Sequence, residues 1–343
     1  MTLSIAIIGA GLVGKRHIDA INNNIRVKLS CIVDPSHEST ALATSLDVPH
    51  YLSIEQMVDR NKPNGVIIAT PNSLHANQVL QCLDHKIPLL VEKPLADTIE
   101  NAESIVNASL ASNVHVLVGH HRRYNPIIRK AKLAIHDGMI GSIQSLHSVC
   151  WFYKPDHYFE EADWRKRKGA GPVSVNLVHE IDLVRYLCGE IEGVQATMGD
   201  STRGYENEQI AAAVLQFKNK AIGTLSVGDS IVSPWSWELT SGEYPSYPKT
   251  NQSCIQISGD RGALSIPDLT LWQYKGTRDW WNPIHKESLT FVSLDPLIEQ
   301  IEHFADVIEG KAEPLISASE GFQNMKVIDA LFRAAESGVT TKV

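Results

Sequence analysis

Three glycines near the amino terminus constrain the fold of this chain more than any other feature. Gly9, Gly11 and Gly14 follow a short run of strand-forming residues at 4–9 and precede a helical pattern. In this arrangement the first glycine permits a tight turn, the second lets a pyrophosphate approach the backbone, and the third lets the helix pack on the sheet. Glycines also occur at other strand-to-helix turns, so the spacing needs independent support.

That support comes from Asp34, which lies twenty residues after Gly14 at the end of the second strand-forming run. An acid at this point accepts hydrogen bonds from the adenosine ribose, and it repels a 2′-phosphate. We therefore expect NAD as the cofactor, while the nearby Ser36 and His37 keep NADP as a less favoured alternative. The predicted cofactor-binding residues of this region are Gly9, Gly11, Leu12, Val13, Gly14 and Asp34.

The first third of the chain alternates short strand-forming runs with longer helical patterns, which is typical of a parallel sheet built from βαβ units. Capping-box spacings at Ser53 and Gln56, and at Asp97 and Glu100, predict two of the helix starts. The predicted strands are residues 4–9, 28–34, 65–70, 88–93 and 114–120. The expected fold is a doubly wound Rossmann domain over residues 1–122.

After about residue 125 the pattern changes to strands joined by hairpins, at 211–229 and 254–266. In the second hairpin we expect "GDRG" to supply the positive dihedral angles of a turn. Two helical patterns, 295–310 and 317–338, close the chain. The sequence predicts an α+β domain over residues 123–343 with a large, mainly antiparallel open sheet. The last helix is a candidate to pack back on the first domain.

Composition and charge exclude several classes of protein. The 343 residues carry 31 Lys and Arg against 39 Asp and Glu, so the balance of −8 does not favour nucleic acid or an anionic membrane. The chain has no long apolar stretch and no signal peptide, so we expect a cytoplasmic protein with a small-molecule partner. Five scattered cysteines form no CxxC pair, and we predict reduced thiols and no metal site.

Two motifs follow strands of the first domain. In "ATPNSLH", Pro71 ends the strand and Asn72 or Ser73 caps the next helix. These residues form either a plain turn or direct contacts with the cofactor, so Thr70, Pro71, Asn72 and His75 are candidate cofactor-binding residues.

The second motif, "EKP", places a lysine at the carboxyl edge of the sheet, where open α/β sheets bind ligands. A lysine at a strand end can be ordinary surface charge. Lys93, however, ends its strand on the same edge as the glycine loop, and Glu92 is able to orient the ammonium or balance its charge. We therefore interpret Lys93 as a functional residue, and Glu92 and Lys93 as additional cofactor contacts.

The segment 169–190 predicts a glycine-rich loop followed by a helix with separate apolar and polar stripes. His179, Asp182 and Tyr186 lie on the polar stripe. A helical histidine is often structural, but Asp182 is able to fix its tautomer as an acid/base histidine requires. Spacing alone leaves both interpretations open.

The segment 150–168 is rich in aromatic and cationic residues. A solvated surface loop explains the charge run that begins at Arg165. The aromatic rings suit the C–H faces and hydroxyls of sugars, which makes several of them candidate substrate contacts. The candidate substrate-binding residues of the chain are Arg123, Tyr153, Tyr158, Trp164 and Arg165.

Together, five motifs resemble the Gfo/Idh/MocA family of nucleotide-dependent sugar and polyol oxidoreductases. They are the glycine loop with His17, "TPN..H", "EKP", "GHHRRYNP" at 119–126, and "GAG…H..D" ending at Asp182. The resemblance implies a Rossmann domain and a second α/β domain whose open sheet shields the nicotinamide and commonly forms the oligomer interface. It also implies that Lys93 contacts substrate and cofactor and that His179 is the acid/base histidine.

The chain departs from this family at one position. Many members have an aspartate four residues before the histidine, where this chain has Val175 followed by Asn176. Catalysis would then depend on Lys93 and His179 alone, or recruit Asn176 or Asp182 as a relay. Some relatives are non-catalytic sensors and others cleave glycosides by transient oxidation. Our hypothesis is an NAD-dependent dehydrogenase of a sugar, cyclitol or related polyol.

The second domain also predicts the state of assembly. Residues 210–217 place Ala212, Val214 and Gln216 on one face and Ala211, Ala213, Leu215 and Phe217 on the other, so neither face is plainly hydrophilic. Covering such a sheet by a twofold axis would remove apolar area from water. We expect a homodimer or homotetramer, with a monomer as the alternative.

Overall fold

The computed structural model describes residues 2–343. It contains two compact units. The first comprises the described residues up to Tyr124 together with Leu294–Met325, and the second comprises Asn125–Ser293 together with Lys326–Val343. A single boundary after residue 122 does not describe this path, because the chain returns to the first unit near its carboxyl end.

The first unit is built on a six-stranded parallel sheet with the order β3-β2-β1-β4-β5-β6. Its strands are β1 (Leu3–Ile8), β2 (Val27–Val33), β3 (His50–Tyr51), β4 (Gly65–Ile68), β5 (Leu89–Val91) and β6 (Val116–Val118). Alternate residues of β1 enter two different cores, Ile5 and Ile7 on one face and Ala6 and Ile8 on the other. The predicted doubly wound sheet is confirmed, with the reversal of strand order between β1 and β4.

Helices cover both faces of this sheet. Within the described residues, the helices of the chain are α1 (Leu12–Asn22), α2 (His37–Ser45), α3 (Ile54–Asn61), α4 (Asn72–Asp84), α5 (Ile99–Ser112), α6 (Pro126–His136), α7 (Asp156–Glu160), α8 (Val178–Cys188), α9 (Trp237–Thr240), α10 (Pro296–Ile308) and α11 (Ala318–Ser337). Arg26 holds α10 to the first unit through Glu302 and Asp306, at 2.8 and 2.7 Å. The start of α11 packs beside β6, where a side chain on Gly321 would collide with Val118.

Two predicted helix starts differ from the structure. The cap of α5 is Thr98 and not Asp97, because Thr98 has the extended backbone and its hydroxyl accepts a hydrogen bond from the amide of Asn101. Helix α4 begins at Asn72, so neither Asn72 nor Ser73 is its cap; Pro71 occupies that position. The cap at Ser53 is confirmed by a hydrogen bond from the Gln56 amide.

The second unit is built on a nine-stranded sheet with the order β14-β13-β12-β11-β7-β10-β9-β8-β15. Its strands are β7 (Ile143–Trp151), β8 (Ile191–Asp200), β9 (Glu208–Phe217), β10 (Ile222–Gly228), β11 (Ile255–Gly259), β12 (Gly262–Ile266), β13 (Thr270–Gln273), β14 (His285–Ser288) and β15 (Thr341–Lys342). All pairs are antiparallel except β7 with β10. One core, formed with α6, α8 and the end of α11, buries one face of the sheet.

The hairpin between β11 and β12 corrects one expectation. Neither Gly259 nor Gly262 has a positive φ, so "GDRG" does not supply the predicted left-handed turn. These glycines are required by close packing instead, because a Cβ on Gly259 would lie 2.1 Å from the carbonyl oxygen of Ile140 and one on Gly262 would lie 2.7 Å from that of Trp272.

Among residues 2–343, no helix is long and apolar enough to cross a membrane. The five cysteines are buried free thiols. Burial raises the pKa of Cys82 and that of Cys188 to about 12, so both remain protonated at neutral pH. No cluster of His, Cys, Asp and Glu that could hold a metal ion occurs in the described part of the chain.

Candidate active site

The glycine loop joins β1 to α1 in the first unit. Gly9 has φ +89°, and Gly14 packs so closely that a Cβ would lie 2.0 Å from the carbonyl oxygen of Gly9. A Cβ on Gly11, by contrast, would meet nothing within 4 Å. Leu12 and Val13 are exposed in the first turn of α1, which has no side-chain cap within the described residues. The turn therefore leaves backbone amides available to a phosphate group.

Asp34 lies directly after β2, next to this loop. Its carboxylate accepts hydrogen bonds from the backbone amides of Ala10 at 2.9 Å and Ser36 at 2.8 Å. Burial alone would raise the pKa of Asp34, but these hydrogen bonds lower it below its ordinary value. A cavity of about 290 Å³ is lined by Gly9, Asp34, Pro35 and Thr70, among others. The carboxylate is therefore a charged acceptor at the edge of a cavity that suits the adenosine half of a dinucleotide.

His75 connects two loops at the carboxyl edge of the sheet. Its imidazole is buried, with Nδ1 2.9 Å from the carbonyl oxygen of Pro94 and Nε2 3.0 Å from that of Thr70. Both ring nitrogens are thus directed at the backbone, while Pro71 and Asn72 are exposed at the start of α4. The geometry supports a positioning role for His75 between the strand-end loop and the EKP loop.

Glu92 of the EKP loop is paired with a histidine that is distant in the sequence. Its Oε1 is 2.7 Å from Nε2 of the fully buried His17, and its Oε2 accepts a hydrogen bond from the Lys93 amide at 3.2 Å. Gly119 makes room for the carboxylate, because a Cβ there would lie 2.9 Å from it. Burial raises the pKa of Glu92, but the hydrogen bond and charge of His17, with the charges of His121 and Lys93, lower it to about 2.

Arg123 lies in a buried 3₁₀ turn, His121–Tyr124, next to β6. Its Nη2 donates to Glu320 at 2.9 Å and its Nη1 to the carbonyl oxygen of Leu315 at 3.5 Å. The guanidinium, only 3% exposed, therefore anchors the beginning of α11 inside the first unit. Its proposed contact with substrate has no support in this arrangement.

His179 is carried by α8 in the second unit, immediately after a π-helical segment at Val173–Leu177. Such single turns are frequent at functional sites. The Glu208 carboxylate accepts a hydrogen bond from the Val173 amide at 3.0 Å. It also occupies the space that a Cβ on Gly171 would need. All residues of α8 except Tyr186 are buried, so His179 and Asp182 of the predicted polar stripe lie inside the unit, while Tyr186 is partly exposed.

A lysine that the sequence motifs did not reveal lies next to this segment. Lys154 is 6% exposed, and its Nζ donates to Asn176 Oδ1 at 2.9 Å and lies 3.4 Å from Asp229 Oδ2. Arg203 reaches the same carboxylate at 3.5 Å. Burial lowers the pKa of Lys154, and the charge of Asp229 partly offsets this effect. Only its position among aromatic residues at the end of β7 could have drawn attention to it.

The aromatic candidates differ in exposure. Tyr153 and Trp164 are 51% and 57% exposed, so each keeps a face for a ligand. Tyr158 is instead a packing residue, because Lys154 and the Arg165 guanidinium lie 5.1 and 4.1 Å from its ring centroid. Arg165 also donates to the Tyr158 carbonyl at 2.6 Å, so it is not a free surface charge.

Sequence models of one family match both parts of the chain. The model described as "Oxidoreductase family, NAD-binding Rossmann fold" matches residues 3–120, and that of the family's "C-terminal alpha/beta domain" matches residues 132–343. Together with the glycine loop and Asp34, these matches place the chain in an oxidoreductase family with an NAD-binding Rossmann fold. The chain belongs to the Gfo/Idh/MocA family.

Relatives with assigned activities are distant. The 2,7-anhydro-N-acetylneuraminate hydratase of Escherichia coli (strain K12) is 27% identical over 248 residues, 70% of this chain and 65% of the hydratase, just under two thirds of its length. Inositol 2-dehydrogenase of Rhizobium meliloti (strain 1021) is 25% identical over 346 aligned residues, 97% of each chain. The WlbA dehydrogenase from Bordetella pertussis, solved with NADH and UDP-GlcNAcA, has a TM-score of 0.80 at 22% identity, covering 100% of this chain and 99% of that one. This last similarity supports the fold.

Proposed function

We propose that the protein is an NAD-dependent dehydrogenase that oxidises a hydroxyl carbon of a sugar, cyclitol or related polyol. The observation that carries the proposal is the Asp34 carboxylate, held by Ala10 and Ser36 beside the glycine loop of a family-matched Rossmann unit. The full-length similarity to inositol 2-dehydrogenase supports a polyol as the substrate class. The same carboxylate makes NADP the less favoured cofactor.

The proposed mechanism assigns the proton chemistry to two residues. When bound, NAD supplies the hydride acceptor. The first turn of α1 would hold its phosphates and Asp34 its adenosine ribose. His179 takes the proton of the reacting hydroxyl, and Lys93 donates a hydrogen bond to that oxygen; the two roles are exchangeable. Asp182 and Asn176, on the segment that carries His179, are the proposed relay or substrate contacts.

The test of this mechanism is substitution of the two residues. Lys93→Met and His179→Ala should each lower turnover by roughly 10²-fold or more while leaving the NAD affinity within a few-fold, because the lost groups act on protons. NADH formation on a polyol panel and fluorescence titration of NAD provide the measurements. Lys168→Met and His136→Ala, at exposed positions, are the controls. Normal turnover by His179→Ala would show that this histidine has a structural role and not a catalytic one.

A second candidate is a reaction without net oxidation, in which the cofactor is reduced and reoxidised on the same substrate. The similarity to a hydratase favours this alternative. Product analysis separates the two proposals, because a dehydrogenase accumulates NADH in proportion to product and the alternative does not. Binding of NAD and a sugar without any turnover would instead indicate a ligand sensor.

The assembly and location of the protein are also proposals. We infer a homodimer or homotetramer through the solvent face of the nine-stranded sheet, because Ile210, Val214 and Ile222 are exposed there. We propose a cytoplasmic location from the sequence, and the five free cysteines are compatible with a reducing compartment.

A further inference from the structure

The most informative feature outside the assigned site residues is the buried ammonium of Lys154. Its Nζ carries three N–H donors. Asn176 accepts one at 2.9 Å, and the Asp229 carboxylate lies at 3.4 Å, while the rings of Phe152 and Tyr158 flank the ammonium. Residues 2–343 thus provide oxygen acceptors for two of the three donors. The third is available to the oxygen of a ligand.

The position of this ammonium connects it to the segment that carries His179. Lys154 follows β7, and Asp229 follows β10, which runs parallel to β7, so both lie at the same edge of the sheet. Asn176 belongs to the π-helical segment and precedes His179 by three positions, which places the two side chains on neighbouring parts of one helical surface. Lys154 therefore holds the turn that presents His179.

The charges around Lys154 determine what kind of ligand suits it. Asp229 is 3% exposed and is shared with Arg203, whose Nη1 lies 3.5 Å from it. Two further carboxylates interact with the charge of Lys154. The charge of Glu238 acts to raise the pKa of Lys154, and the charge of Lys154 acts to lower the pKa of Glu208. Lys154 and the partly buried Arg203 thus face the three acids Asp229, Glu208 and Glu238, and Arg203 also approaches Asp156 at 3.6 Å. An additional carboxylate or phosphate would lack a free counter-charge here, whereas an uncharged hydroxyl needs only a hydrogen bond.

We propose that Lys154 is a further substrate-binding residue, which donates its remaining N–H to a hydroxyl of an uncharged polyol. Asn176 and Asp229 are the positioning residues that hold its ammonium. This inference rests on the proposed polyol dehydrogenase. It narrows the substrate class from sugars in general to sugars and polyols that carry no charged group in the part bound by Lys154.

The experiment compares Lys154→Met with Lys168→Met, an exposed lysine of the same region. Uncharged probes are myo-inositol and D-glucose within a panel of polyols, and D-glucuronate is the charged counterpart of glucose. For the preferred uncharged probe, kcat/KM of Lys154→Met should fall about 10- to 100-fold, as expected for loss of a charged hydrogen-bond donor, with NAD affinity within two-fold. Values within two-fold of wild type in folded Lys154→Met would overturn the proposal.

Ligand-observed NMR in the presence of NAD makes the outcome independent of turnover. If the wild type binds a polyol without forming NADH, the dehydrogenase proposal fails, whereas loss of that binding in Lys154→Met still supports the role of Lys154. If Lys154→Met does not fold, Lys154→Arg and Lys154→Gln replace it; binding by Gln equal to that of wild type would contradict the need for the ammonium. A wild type that binds glucuronate in preference to every uncharged probe would also refute the inference.

Discussion

Among single residues, we expect the charge of Asp34 to decide between NAD and NADP. The carboxylate is held by two backbone amides, so it cannot easily turn away from an added 2′-phosphate. The wild type should therefore bind NAD(H) more tightly than NADP(H), and Asp34→Ser combined with Pro35→Arg should narrow the difference. Fluorescence titration with both cofactors measures it, each ten-fold change being about 1.4 kcal/mol. Asp59→Ser, at an exposed position, is the control; equal wild-type affinities would contradict the prediction.

We expect the ionised carboxylate of Glu92 to stabilise the fold by an amount that depends on pH. Its pKa is about 2 in the folded protein against an ordinary value of 4.5, so the ionised carboxylate stabilises the fold fully above that ordinary value. The contribution decreases as the pH falls from there towards the folded pKa. Glu92→Gln should accordingly be less stable than wild type at pH 7, and the difference should shrink progressively in acid.

Urea unfolding at several pH values between about 3 and 7 would measure the difference in the free energy of unfolding between wild type and Glu92→Gln at each pH. Glu38→Gln, at an exposed position in α2, serves as the control. Parallel stability curves for wild type and Glu92→Gln would show that the pair with His17 contributes nothing through its charge.

Within the glycine loop, we expect one glycine to be required for folding and another for cofactor binding. A Cβ on Gly14 would collide with the Gly9 carbonyl, whereas one on Gly11 would meet open space. Gly14→Ala should therefore lower the thermal unfolding temperature and reduce NAD binding through the fold. Gly11→Ala should keep the wild-type unfolding temperature but weaken NAD binding, because its methyl group would enter the space where the phosphates approach. Equal thermal destabilisation by both substitutions would contradict this division.

The elements themselves were largely predictable because their signals are local. Alternating and helical periodicity located five of the six strands of the first sheet but missed the two-residue β3, and Ser53 marked its helix correctly. The error at Asp97 arose because Thr98 offers an equivalent side-chain oxygen as acceptor one residue later. The error at Gly259 arose because its glycine requirement comes from the Ile140 carbonyl, which is remote in sequence. Contacts of this kind leave no periodic pattern.

The candidate site was predictable only where a motif is contiguous. Glu92 and Lys93 stand together in the sequence, but the partner of Glu92 is His17, 75 residues away. Likewise, Lys154 meets Asn176 and Asp229 only because the fold brings the ends of β7 and β10 next to the π-helical segment. Such pairs follow from the tertiary fold, so a single sequence does not reveal them.

At the scale of the whole molecule, the chain path is less simple than two consecutive domains. Leu294–Met325 returns to the first unit, where Arg26 pairs with α10. Hydrogen bonds to Asp306 and Glu302 raise the pKa of Arg26 further above its ordinary value. The residues of this network are about one third exposed, so its net contribution to stability is modest. The sequence predicted the helix at 295–310 but not the unit to which it belongs.

The outer face of the nine-stranded sheet leads to a prediction about assembly. In β9, Ala211, Ala213, Leu215 and Phe217 are buried in the core, and the alternate residues are exposed. Val214 is 39% exposed and stands beside Thr224 of β10. A second copy would cover this face and remove its apolar area from water, at about 25 cal/mol per Å². We therefore expect a multiple of the 37.9 kDa chain mass in light scattering coupled to size exclusion at micromolar concentration.

Substitution on this face tests whether it is the interface. Val214→Arg would place a charge in the centre of the covered surface and should shift the mass towards that of one chain, because a buried unpaired charge opposes association. Ile25→Arg, at a position 93% exposed on the first unit, is the matched control and should leave the mass unchanged. A wild-type mass of 37.9 kDa would refute the sheet-mediated oligomer. An oligomer that persists in Val214→Arg would indicate that the interface lies on another surface of the chain.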